Sequence, residues 1–226
     1  MKYIQYAFAL LLFAGLAFAI QPAEDWDVGA QGRYTQVGQA SVITEGGNVT
    51  ELNLSSNIST AKWAGYWGNV TGDIVLAPNN ANMFYTWTWS ATDGGEVCAV
   101  AAASGFDWSA VQAAVGSVVD TIWYFDTGDT DSGTNTIATA GDMEVAGTLV
   151  TGTDCTTTGT GGGDIFETCI LADNAAPTLK DELAFCVNIT GAGTLFNGQT
   201  GDYELLTATN ETAGSTETHY FWMELN

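Results

Sequence analysis

The chain of 226 residues carries 26 Asp and Glu against 4 Lys and Arg, a net charge of −22 and a pI near 4.1. That balance excludes nucleic acid and anionic membrane surfaces as partners, since both are held through clustered Lys and Arg. Hydrophobic residues reach 46% and aromatics 12%, with 8 Trp, which excludes a disordered chain.

The N-terminus has the shape of a secretory signal. Lys2 precedes an apolar run from Ala7 to Leu16, and Ala17-Phe18-Ala19 is a small-x-small cleavage motif. The expectation is removal of residues 1–19, a mature chain that starts at Ile20, and no stable membrane span afterwards. No Lys-Gly or Arg-Gly precedes the apolar run, which argues against a helix-cored pilin. Residues 20–47 are rich in Gly, Gln and acids, with one possible strand at 38–44. They are expected to form an N-terminal arm or strand, and a donor strand for a neighbouring subunit is one use for it. Residues 48–226 are then a single domain.

Six Asn-x-Ser/Thr triplets follow: Asn48, Asn53, Asn57, Asn69, Asn188 and Asn210. Four of them fall between 48 and 71, and in an exported chain they are acceptors for covalent N-glycans. Charged residues make up only 13% of the chain, so attached sugar would also help solubility.

The body reads as strands separated by turns. Period-two alternation marks 49–55, 84–89 and 216–225. Further strands are expected at 61–67, 72–77, 95–101, 120–126, 143–150, 165–171, 182–189 and 202–208, with Gly, Asn and Asp between them. One stretch breaks the pattern: Asp107 to Val115 is rich in Ala and predicts a short helix. The fold class is all-β, a β-sandwich or jelly-roll-like arrangement with one short helix near 107–115.

Four cysteines in an exported chain read as two disulfides. Cys155 and Cys169 flank a Thr- and Gly-rich loop, and Cys98 and Cys186 lie in apolar runs, so 155–169 with 98–186 is the favoured pairing. No Cys-x-x-Cys spacing suggests zinc. The loop from Asp126 to Asn135 places Asp126, Asp129 and Asp131 like the first half of a calcium loop, although no Glu follows at the matching position. Calcium is therefore the one possible cofactor. His219 is the only histidine and lies in a strand-like run, and no nucleophile elbow, phosphate loop or His-Glu-x-x-His is present. Nothing among the 26 acids singles out a glycosidase pair. The aromatic runs Trp63–Trp67 and Tyr85–Trp89 suit either a core or a sugar-binding face.

Glu45-Gly46-Gly47-Asn48-Val49-Thr50-Glu51-Leu52-Asn53-Leu54, Lys62-Trp63-Ala64-Gly65-Tyr66-Trp67-Gly68-Asn69-Val70-Thr71-Gly72 and Phe196-Asn197-Gly198-Gln199-Thr200 with the terminal aromatic strand resemble secreted and cell-surface β-domain glycoproteins of archaea. The likeness covers about 40–90 and 180–226. It implies an exported, glycan-bearing domain of the cell envelope and brings no catalytic residues. The resulting expectation is a non-enzymatic extracellular structural protein that polymerises with itself into a pilus-like filament. A surface-layer component or a carbohydrate-binding, adhesive module is the alternative, and an enzyme acting on polysaccharide comes third.

Overall fold

The computed structural model describes residues 20–35, 41–43, 45–78, 82–101, 105–159, 166–209 and 216–226. The leader at 1–19, Asn210 and most of the 38–44 segment lie outside the described residues.

In chain order the elements are β1 (Gln21–Pro22), β2 (Trp63–Gly68), β3 (Asp73–Leu76), β4 (Tyr85–Thr88), β5 (Gly95–Val100), β6 (Gln112–Ala113), α1 (Gly116–Trp123), α2 (Gly133–Thr136) and β7 (Thr139–Val145). They continue with β8 (Thr148–Thr157), β9 (Glu167–Ala172), β10 (Leu183–Asn188), β11 (Gly193–Thr194), β12 (Thr200–Gly201), β13 (Tyr203–Ala208) and β14 (Tyr220–Leu225). The main sheet runs β1-β14-β5-β10-β9-β8-β7, with β6 also on β9; smaller sheets pair β13 with β2, β3 with β4 and β11 with β12. Every pairing is antiparallel. The fold is all-β and sandwich-like, as the strand pattern predicts.

The three central strands are buried on both faces, so they read as unbroken apolar runs. Val97, Ala99, Ile170, Leu183, Phe185 and Val187 share one cluster with Val119, Trp123 and Leu205, so α1 and β13 cover that face. Cys98, Val100, Cys169, Leu171 and Cys186 point the other way and pack with Met143, Val145 and Val150. The long β7–β8 hairpin therefore folds over the second face. Its bend lies at the irregularity between Gly141 and Asp142, where a Cβ on Gly141 would come within 2.6 Å of Cys155 Sγ. Its two-residue tip, Ala146-Gly147, has φ of 52° and 66°, the left-handed geometry that closes a tight hairpin. The expected strand at 143–150 straddles this turn.

Both disulfides form as favoured, Cys98–Cys186 and Cys155–Cys169. Their register places all four cysteines in one row across β5, β10, β9 and β8.

Three expectations need correction. The helix is at Gly116–Trp123, not 107–115. The Asp107 carboxylate instead accepts from the N–H and hydroxyl of Ser109, making a turn. Gln112 and Ala113 then pair with β9. The helix starts where the Asp154 carboxylate, from β8, accepts the Gly116 N–H at 2.9 Å. The expected strand at 120–126 falls largely in this helix, where Val119, Ile122 and Trp123 are buried at helical spacing. Residues 49–55 are exposed throughout and join no ladder despite their alternation.

Candidate functional site

The acidic loop closes around a lysine. Lys62 lies just before β2 with its side chain 5% exposed, and its Nζ donates to Asp129 Oδ2 at 2.6 Å and Asp131 Oδ1 at 2.7 Å. Thr60 Oγ1 donates to the other Asp131 oxygen, and Trp63 Nε1 donates to the Asp131 carbonyl. Burial disfavours the ammonium, but the hydrogen bonds it donates to Asp129 and Asp131, with their negative charge, outweigh it and hold the Lys62 pKa above the ordinary lysine range. The same bond from Lys62, with that from Thr60, pulls Asp131 below the ordinary carboxylate value. Asp126 stands apart, its carboxylate accepting the Gly128 N–H of its own turn. Of the three acids expected to converge on calcium, the structure thus brings two together, and it does so on a side-chain ammonium.

His219 is held structurally. Its Nε2 faces the Ala208 carbonyl at 3.1 Å and its Nδ1 faces the Tyr66 hydroxyl at 3.0 Å. A carbonyl only accepts, so Nε2 carries the proton and Nδ1 accepts from Tyr66. Burial lowers the His219 pKa against the opposing pull of Glu217 and the Ala208 carbonyl, which favours the neutral ring. Both ring nitrogens are committed, and the shuttle role that a serine triad needs is not available to them.

The aromatic runs divide between the two uses considered for them. Trp63 and Tyr66 pack against the core, and Trp89 is buried. Trp67 stacks edge-on against exposed Phe196 at 5.9 Å, and Tyr85 lies 4.7 Å from Trp87 on the outside. The β3–β4 hairpin is exposed on all eight residues and carries Ile74, Val75, Leu76, Tyr85 and Trp87. Among the described residues it pairs with no third strand. The described residues between β1 and β2 are similarly open, with Trp26, Val28, Tyr34, Leu52, Leu54 and Ile58 all more than half exposed. The arm is tied at its start, where Gln21 and Pro22 join β14 of their own chain, and again at Arg33, which bonds Ser59 and Thr60.

Asn48, Asn53, Asn57, Asn69 and Asn188 are all exposed, so each of these triplets is open to a glycan.

One arrangement escapes the sequence motifs. Glu96 on β5 and Glu224 on β14 are register partners and are both buried, 5% and 3% exposed. Glu224 Oε2 accepts the Ala146 N–H at the tip of the β7–β8 hairpin. Glu96 Oε2 is buried without a hydrogen-bond partner. Burial first, then Glu224 and Glu144, push the Glu96 pKa up to about 8, so near neutrality it holds a proton against Glu224. The available signal was a lone acid inside each of two apolar runs, Glu96-Val97-Cys98 and Trp222-Met223-Glu224.

Among the described residues no helix is long and apolar enough to cross a membrane. Glu167 groups with Cys155 and Cys169, whose sulfurs are already bonded to each other. Compared with protein-family models, with curated proteins and with solved structures, the chain matches none.

Proposed function

We propose that this chain is an exported structural protein that assembles with copies of itself, on a cell surface of the archaeal kind its sequence resembles. The observation that carries the reading is the set of apolar side chains left open on the described residues of the 23–60 segment and on the β3–β4 hairpin. Exposed apolar side chains in such number on a folded domain suit a contact with another surface. A two-stranded sheet whose outer edges pair with no other strand among the described residues is also a template for an added strand. Exposed Trp26, Val28, Val42 and Ile43 of the arm are side chains that could line an added strand, and such strand addition from copy to copy is heterologous, so it propagates as an open filament unless it closes a ring. Two disulfides across the central strands stiffen the unit that carries these surfaces. Glycans on Asn48, Asn53, Asn57, Asn69 and Asn188 would keep the flanking polar surface in water.

Negative-stain microscopy of native protein, beside a variant lacking residues 23–44, tests the reading. Regular filaments or sheets from the full chain and dispersed particles from the deletion are expected. Dispersed particles from both would refute self-assembly, and filaments from both would refute the arm as connector.

The exposed Trp67–Phe196 and Tyr85–Trp87 pairs favour a second reading, an adhesive domain that stacks sugar rings on its aromatics. Glycan-array binding lost in Trp67→Ala and Trp87→Ala, with no assembly in the microscope, would select it.

A further inference from the structure

We propose that removal of the leader after Ala19 creates, at the α-amino group of Ile20, the counter-ion of the buried Glu96–Glu224 pair. This rests on the reading of the chain as exported and processed. Gln21 pairs with Met223 and Pro22 with Trp222, so continuing that antiparallel register by one residue sets Ile20 opposite Glu224. Ile20 is 2% exposed and packs in the cluster that holds Cys98, Val100 and Trp108, on the sheet face toward which Glu96 and Glu224 also point. The new N-terminus is therefore an anchored residue beside a buried carboxylate.

The side-chain cations of the described residues are engaged elsewhere. Lys62 serves Asp129 and Asp131, Lys180 serves Glu217, and Arg33 bonds Ser59 and Thr60. A carboxylate taken out of water needs a cation or a full set of donors, and Glu224 has one backbone N–H from Ala146 and the hydrogen bond it shares with Glu96. Its neighbour Glu96 keeps a proton and contributes an oxygen without a donor. An α-ammonium has three N–H donors and one positive charge. It balances the Glu224 charge and brings more donors to that carboxylate than a single peptide N–H supplies. With the leader attached, the same nitrogen is an uncharged amide. Processing thus fastens the start of the chain to its last strand through an ion pair that the precursor lacks.

The test compares protein that begins at Ile20, freed from a fusion by a protease that leaves no extra residue, with the same chain retaining Ala19. Both are made with Glu224 and with Glu224→Gln. The Ile20 start is expected to melt about 5 °C or more above the Ala19 start, and the gap is expected to vanish in E224Q. No gap, or a gap that persists in E224Q, overturns the pairing. Acylation by an amine-reactive ester in native buffer is a second readout, which does not depend on the variant's folding. The Ile20 amine is expected to react at least tenfold more slowly than the Ala19 amine, and equal rates overturn the proposal. Sequencing the native N-terminus tests processing separately: a start other than Ile20 overturns the cleavage site itself, whatever the recombinant pair show.

Discussion

Cys169 and Cys186 face each other across β9 and β10, yet each is bonded to its neighbour on the other side. The bonded pairs have Cα atoms only 4.1 and 4.0 Å apart, the close spacing of non-hydrogen-bonded positions in an antiparallel sheet. A residue in that position on one side takes the wider, hydrogen-bonded position on the other, so Cys169 and Cys186 occupy the wide pair. With strands about 4.8 Å apart, Cys98 and Cys155 lie three strand spacings, or about 14 Å, from each other. Only one pairing of the row therefore closes every sulfur. A 169–186 bond would leave the outer two stranded.

That wide pair is still within disulfide reach. Cys98→Ala combined with Cys155→Ala is expected to yield a 169–186 bridge on air oxidation, found by non-reducing peptide mapping. Two free thiols in the folded double variant would contradict the row geometry.

The two native bridges differ in the chain they close. Cys98 and Cys186 are 88 residues apart and Cys155 and Cys169 are 14 apart. Loop entropy assigns about 4.5 kcal/mol to the first and about 3 kcal/mol to the second. Replacing Cys98 and Cys186 by Ala is therefore expected to lower the urea midpoint more than replacing Cys155 and Cys169, a ranking that parallel denaturation curves check.

The ion cluster at Lys62 is asymmetric. The lysine is 5% exposed, whereas Asp129 and Asp131 side chains are 46% and 43% exposed. Lys62→Met leaves two carboxylates that water can solvate and is expected to cost about 1–2 kcal/mol. Asp129→Asn with Asp131→Asn leaves a buried ammonium without a counter-charge and is expected to cost about 3–5 kcal/mol. Equal losses in urea unfolding would show that the lysine is not the buried partner. Millimolar calcium is expected to stabilise Lys62→Met and leave the parent unchanged, since the ammonium lies between the same two carboxylates.

Glu96 sets a pH dependence of definite sign. Its folded pKa is raised from 4.5 to about 8, so between those values the folded chain keeps a proton that the unfolded chain releases. Fewer protons bound in the unfolded state means that stability falls as pH rises through this window and levels off above it. Thermal melts across pH 4–9 are expected to show the decline, and Glu96→Gln to flatten it and exceed the parent at pH 9. A parallel decline in Glu96→Gln would place the titration elsewhere.

What the sequence made legible follows from where the information is local. The runs around Cys98, Cys169 and Cys186 announce strands because both faces are apolar, and the pairing is suggested by Cys98 and Cys186 lying in such runs and by Cys155 and Cys169 flanking one loop. The helix start does not show locally, because its cap is Asp154, 38 residues downstream of Gly116. The acids at 126–131 stand out as a group, but the charge that organises them comes from Lys62, 67 residues before Asp129. Glu96 and Glu224 become a pair only when β14 enters the sheet beside β5. Alternation at 49–55 misled for the complementary reason: the pattern permits a strand, and a strand still needs a neighbour.

The position of β14 between β1 and β5 also bears on the order of folding. Met223 must find Gln21 and Val97, so the sheet closes across nearly the full span of the described chain. Contacts of such long range form slowly, because loop closure is settled before they reward it. Until the last strand arrives, β5 presents an open edge and β1 has nothing to lie against. A chain made from its N-terminus therefore completes its sheet only after residues 220–225 are available, and until then its open edge is accessible to proteases and to mispairing.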